Sequence, residues 1–151
     1  MKPVEIIQEL LKNPTDQSVV DRFVSPDADY VSLSFSNPEL AKVMPWAGTH
    51  KNGRQGIMST FRDVNRWWRI ESTPQHVFGD DENAAVFGTF TLTSATTGKT
   101  FTSPFAVFVK VQNAQVVHMR YMEDTFGTAS TFRTGGEWTF GGDPGGGVSS
   151  V

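Results

Sequence analysis

Three consecutive runs of alternating residues between Ala84 and Phe126 constrain this chain more than any other feature. In the first run Val86, Gly88, Phe90 and Leu92 fall on one side, and Phe87, Thr89, Thr91 and Thr93 on the other. Successive side chains of a pleated strand point to opposite faces, so this alternation predicts a half-buried strand. Thr97-Gly98-Lys99 predicts a turn. Phe101, Ser103, Phe105, Val107 and Val109 then share a face of the second run. Pro104 has no N–H to donate, which predicts a bulge or a locally unpaired edge there. After a second turn at Gln112-Asn113-Ala114, Val117, Met119, Tyr121 and Glu123 oppose Val116, His118, Arg120, Met122 and Asp124.

The sidedness of that third run decides where a site can lie. Turning His118, Arg120 and Asp124 inward would bury three polar groups, which is costly unless each finds a partner. The register that turns Val117, Met119 and Tyr121 inward also brings Glu123 to the inner face near the strand's end. Glu123 is therefore the one carboxylate expected to look into an apolar cavity.

The rest of the chain supplies a cover for such a sheet. Pro3, Val4, Ile7, Leu10 and Leu11 predict a first helix stopped by Asn13-Pro14. Thr15 is the expected N-cap of a second short helix bearing Val19, Val20 and Phe23. Ala28 to Phe35 reads as a strand. Residues 37–52 are irregular yet carry Val43, Met44 and Trp46, so this loop packs on something, either as a core plug or as a flap with Trp46 as cavity wall. Gly53 to Trp68 is the longest expected helix, with Ile57, Met58, Phe61, Val64, Trp67 and Trp68 at steps of three and four. Ile70 to Phe78 is a further strand, and Asp80-Asp81-Glu82-Asn83 a solvated hairpin turn. Gly141 to Gly147 holds five glycines. Such a segment has little to bury, so residues 128–151 are expected to form a Gly-rich surface tail, pinned by Trp138 and Phe140. The expected domain spans residues 1–127.

Composition narrows the function classes. The 151 residues include twelve Phe and four Trp, more bulky apolar groups than a core alone demands, so some are expected to line a cavity. The net charge of −3, with no basic cluster, argues against nucleic acid as a partner. No apolar run approaches about 18 residues, so no membrane helix is expected. The first residues show no signal-peptide pattern, and a soluble cytoplasmic protein is expected. The chain has no Cys, which excludes disulfides and thiolate chemistry. His50, His76 and His118 lie far apart in sequence and in no cluster with carboxylates, so neither a metal nor a cofactor is expected.

The order of helix, helix, strand, apolar loop, long helix and four strands carries a resemblance. Pro45-Trp46-Ala47-Gly48-Thr49-His50, with Gly53 and Gly56, resembles the Gly-marked entry to a long helix in the SnoaL-like branch of the nuclear transport factor 2-like superfamily. Gly98 to Asp124, ending in Arg120-Tyr121-Met122-Glu123-Asp124, is similar to that family's closing hairpin. The resemblance covers roughly residues 4 to 126. It implies an α+β fold in which a cone-shaped, curved antiparallel β-sheet is wrapped by N-terminal helices around one apolar pocket. Many members dimerise through the outer sheet face, and here Phe87, Phe108 and Met122 would be the anchors. Members include polyketide cyclases, ketosteroid isomerases, dehydratases, epoxide hydrolases and non-catalytic domains, so the fold does not fix an activity.

Carrying functional residues across is informative by its failures. Limonene epoxide hydrolase needs an Arg and two Asp at inward positions that here hold Gly88, Phe90 and Tyr121. No trio matches a ketosteroid isomerase, and no His pair matches scytalone dehydratase. What remains is Tyr121 as a hydrogen-bond donor to a carbonyl oxygen and Glu123 as a general base. Ser32, Trp46, Phe90, Ser103, Phe105 and Met119 are the expected contacts to a small apolar or polycyclic molecule. Three readings follow: an isomerase, cyclase or lyase that abstracts a proton next to a carbonyl, a non-catalytic binder of an apolar small molecule, or an interaction module that dimerises by its outer sheet face. The position of Glu123 separates the first two.

Overall fold

A computed structural model describes residues 1–151. Helices α1 (Pro3–Lys12) and α2 (Gln17–Phe23) lead into strand β1 (Val24–Ser32). Then come α3 (Pro38–Val43), the short β2 (Gly48–His50) and the long helix α4 (Gly53–Trp67). Four strands follow, β3 (Trp68–Gly79), β4 (Asn83–Ser94), β5 (Thr100–Gln112) and β6 (Gln115–Glu123). Helix α5 (Thr125–Ser130) and a hairpin of β7 (Thr139–Phe140) and β8 (Ser149–Ser150) complete the chain. Asp16, not Thr15, caps α2, its carboxylate accepting from the N–H groups of Ser18 and Val19. The irregular 37–52 stretch contains α3, whose first turn is closed by the side chain of Asn37.

Six strands form one open curved sheet in the order β2-β1-β6-β5-β4-β3. Neighbours run antiparallel except β1 and β6, which are parallel. That pair is possible because the whole of α3 to β5 intervenes, supplying the long crossover a parallel pair needs. Ala84, Val86, Phe90, Leu92 and Ser94 of β4 are buried, as are Ser103, Phe105, Val107 and Val109 of β5. Both strands thus keep the expected faces. Pro104 pairs with Thr89 without a bulge, and it stands one residue beyond the last β5–β6 pair, Phe105 with Glu123. Its missing N–H therefore faces no neighbour on that side.

One sidedness expectation fails. Lys110 pairs with His118 and Val111 with Val116, so Val117 is an extra residue on β6. This bulge turns Val116 into the core in place of Val117 and restores the expected face at Met119 and Tyr121. Ile6, Ile7 and Leu10 of α1, Val20 and Phe23 of α2, and Ile57 and Met58 of α4 press on the inner face of the sheet to form the core.

The expected domain boundary at residue 127 falls inside α5. Thr128 and Thr131 are buried, and Phe132 stacks on Trp68 at 4.6 Å between ring centroids. The packed body therefore runs on through Phe132. Beyond it, Trp138 exchanges two backbone hydrogen bonds with Val151, and Phe126, Trp138 and Phe140 form a surface aromatic cluster.

Candidate functional site

The concave face of the sheet and the inner side of α4 enclose a cavity of about 350 Å³. That is the low end of the range for small-molecule sites, roughly 300–1,000 Å³. Phe90, Leu92, Phe105, Trp68, Ile70 and Pro74 form its sheet wall, and Phe61 and Val64 of α4 close the other side. Trp46 is buried and lines the cavity, with its ring edge-on to those of Trp67 and Trp68. The loop that carries it is thus both core plug and cavity wall.

Six of the eight expected site residues meet at this cavity: Tyr121, Glu123, Ser32, Trp46, Phe90 and Phe105. The other two do not reach it. Ser103 is wholly buried, donates to the carbonyl of Pro104 at 2.7 Å and accepts the Asp124 N–H at 3.0 Å. It ties the end of β5 to the start of α5 instead of meeting a ligand. Met119 is wholly buried and pairs with Tyr30 in the sheet, off the cavity lining. Both sit on the inner face, yet neither lines the cavity, a distinction that alternation cannot report.

Tyr121 and Glu123 stand two residues apart on one face of β6, roughly 6–7 Å along the strand. The Tyr121 ring is stacked on Phe105 at 5.7 Å and met edge-on by Phe61 at 6.0 Å, which fixes its plane. Burial holds its phenol well above the usual tyrosine range, reinforced by the charge of Glu123 and by Tyr30. Burial also pushes the Glu123 carboxyl up to about 7, the Thr128 hydroxyl pulling it partly back and Asp124 adding to the rise. No cation offsets that burial, because the ion pairs of the protein lie elsewhere, at Lys12–Glu9, Arg54–Asp21 and His118–Asp29. A carboxyl that titrates near neutrality can both take and return a proton. Asp124 faces away as the N-cap of α5, accepting from the Gly127 N–H at 3.1 Å.

The expected site residues left out three aromatic groups of the lining, Phe61, Trp68 and Tyr30. Tyr30 lines the cavity, and burial raises its phenol as it does that of Tyr121. It lies two residues before Ser32, so alternation counted from Ser32 places it on the same strand face. The ring of His50 stacks on Tyr30 at 5.7 Å, and its Nε2–H donates to the Trp46 carbonyl at 2.8 Å. His50 thus braces two cavity residues without lining the cavity. Leu33 leaves β1 with a positive φ of 67°, its N–H donating to the Tyr121 carbonyl at 2.9 Å. That unfavourable backbone conformation places Leu33 at the cavity edge. Lys12, Asn65 and Ser72 add polar groups to the lining. A second, wider groove of about 570 Å³ lies between α3, α5 and the C-terminal residues, away from the Tyr–Glu pair.

Comparison with known proteins agrees with the fold. The family model described as a SnoaL-like domain matches residues 11–119. Patulin biosynthesis cluster protein F of Penicillium expansum is 42% identical over 135 residues, covering 86% of this chain and 68% of that protein. Among solved structures, an NTF2-like protein from Burkholderia thailandensis has a TM-score of 0.73 at 18% identity, covering 88% of this chain and 98% of that one. TerC, co-crystallised with polyporic acid, has a TM-score of 0.68 at 20% identity, covering 85% of this chain and 96% of that one. At these identities the two structures speak to fold alone.

Proposed function

The chain belongs to the SnoaL-like domain family, and from that premise we propose that it is an acid–base enzyme of the isomerase, cyclase or lyase kind. Glu123 takes a proton from the carbon next to a carbonyl of a small, mostly apolar substrate. The electron pair of that C–H bond moves into the carbonyl, and the enolate oxygen accepts a hydrogen bond from the Tyr121 hydroxyl, with Tyr30 beside it. Glu123 then returns its proton to the substrate, at another carbon or at a leaving oxygen. The observation that carries this reading is a carboxyl in an apolar cavity, beside a phenol and with no cation claiming it. Similarity to a patulin biosynthesis cluster protein, and the fold shared with TerC crystallised with polyporic acid, support a small organic molecule as the occupant.

The test is deuterium incorporation from heavy water into a panel of cyclic ketones and lactones. Wild type should exchange the protons next to the carbonyl, and Glu123→Gln and Tyr121→Phe should not. Equal rates in all three would refute the assignment. The alternative is a non-catalytic binder, favoured by Gly88 and Phe90 standing where a relative keeps catalytic groups. Ligand-induced stabilisation without exchange would select it.

The outer sheet face supports a homodimer as part of the same reading. Phe78, Phe87, Phe108 and Met122 are exposed there, and an apolar patch of this kind marks an interface. Sedimentation of wild type as a dimer and of Phe108→Glu as a monomer is the expected result. A monomeric wild type at high concentration would remove the dimer.

A further inference from the structure

The two oxygens of Glu123 meet different surroundings. Oε2 is shut inside the protein with no hydrogen-bond partner, while the residue as a whole lines the cavity. Oε1 is therefore the oxygen an occupant reaches. The hydroxyl of Thr128 is likewise buried and unpartnered, and it acts on the Glu123 carboxyl closely enough to favour its charged form. The Thr128 N–H donates to the carbonyl of Asp124, the residue after Glu123, so two buried unpartnered atoms, one an acceptor and one a donor, lie together where β6 meets α5. Leaving both unpaired is costly, and a rotation of the threonine side chain that brings Oγ1 to the carboxylate removes both penalties.

We propose that Thr128 is a positioning residue whose hydroxyl donates to Oε2 of Glu123 and leaves Oε1 alone to meet the molecule in the cavity. The consequence for catalysis rests on the reading of Glu123 as the base; the contact itself does not. Thr128 is well held for this task. Its N–H donates to the Asp124 carbonyl at 3.0 Å, and its own carbonyl accepts from the Thr131 hydroxyl at 2.7 Å. The Thr131 Oγ1 in turn accepts from the Trp68 indole at 2.8 Å, and Trp68 lines the cavity. On the other side, a side chain at Gly127 would run into the Phe101 ring, so α5 is seated directly against β5. The carboxyl is thereby anchored to the aromatic wall through two threonines.

Titration of Glu123 tests this without any assay of turnover. The ionisable groups around it are Tyr30 on β1, Tyr121 on its own strand and its neighbour Asp124, with Lys12 of α1 on the cavity lining. Following the Glu123 side-chain carboxyl by carbon NMR should show a higher midpoint in Thr128→Val than in wild type, by roughly one pH unit or more. Thr128→Ser should titrate like wild type. Equal midpoints in wild type and Thr128→Val, or Thr128→Ser moving as far as the valine variant, would overturn the proposal. If Thr128→Val does not fold, wild type alone decides. The Thr128 hydroxyl proton should exchange slowly and show a nuclear Overhauser contact to the Glu123 methylene protons, and its absence would overturn the contact. A shifted midpoint with unchanged deuterium exchange would support the positioning contact while refuting Glu123 as base.

Discussion

Replacing Glu123 by Gln should make the protein more stable above neutral pH and nearly unchanged below about pH 4.5. The carboxyl is pushed from 4.5 to about 7 by burial. Between those values the folded state holds a proton that the unfolded chain has released. Stability then falls as pH rises through this window and levels off above it. Each pKa unit corresponds to about 1.36 kcal/mol, so the charged carboxylate costs the native state on the order of 3 kcal/mol at pH 8.5 relative to pH 4.5. Glutamine resembles the neutral acid in size and cannot ionise. The difference in unfolding free energy between variant and wild type should therefore rise by about 3 kcal/mol across that range, or roughly 6–12 °C in Tm. Urea titrations of both proteins at half-unit pH steps measure it, and subtraction removes the groups the two share. A difference that stays flat with pH would refute the claim that Glu123 is a buried carboxyl with no cation beside it.

Four further outcomes follow from the packing. Tyr121→Phe should keep the fold and lower turnover by about 10²–10³-fold, read from initial rates of deuterium exchange. Gly88→Ala should destabilise by about 1–3 kcal/mol in urea, because the added carbon would lie 2.5 Å from the Phe105 ring and 2.8 Å from the Thr73 carbonyl. Trp68→Phe should cost about 1–3 kcal/mol in the same assay by removing the buried bond to Thr131. Ending the chain after Arg133 should leave a cooperative thermal unfolding transition, whereas ending it after Gly127 should abolish it, since Thr131 and Phe132 would no longer pack on Trp68.

Much of the scaffold was legible because it rests on local rules. The faces of β4 and β5 follow from alternation, and the long helix from its stripe of Ile57, Met58, Phe61 and Val64. Glu123 and Tyr121 were found because burying the opposite face of β6 would have been worse. The bulge at Val117 was invisible, since an extra residue is defined by its partner strand and not by its own. The fate of residues 128–132 was equally hidden: a polar run reads as a tail until Trp68 offers its indole to Thr131.

Alternation and helical spacing, read along the chain, are enough to place the strands, the covering helices and one inward carboxylate, because side-chain direction within an element is a local property. Which inward residues touch the cavity is not local. Ser103 and Met119 share the inner face with Phe105 and Tyr121, yet the first pair is wholly buried off the cavity while the second lines it. The near-neutral titration of Glu123 belongs to the tertiary structure for the same reason. It arises from walls contributed by β1, α4, β5 and α5, and no stretch of sequence contains them together.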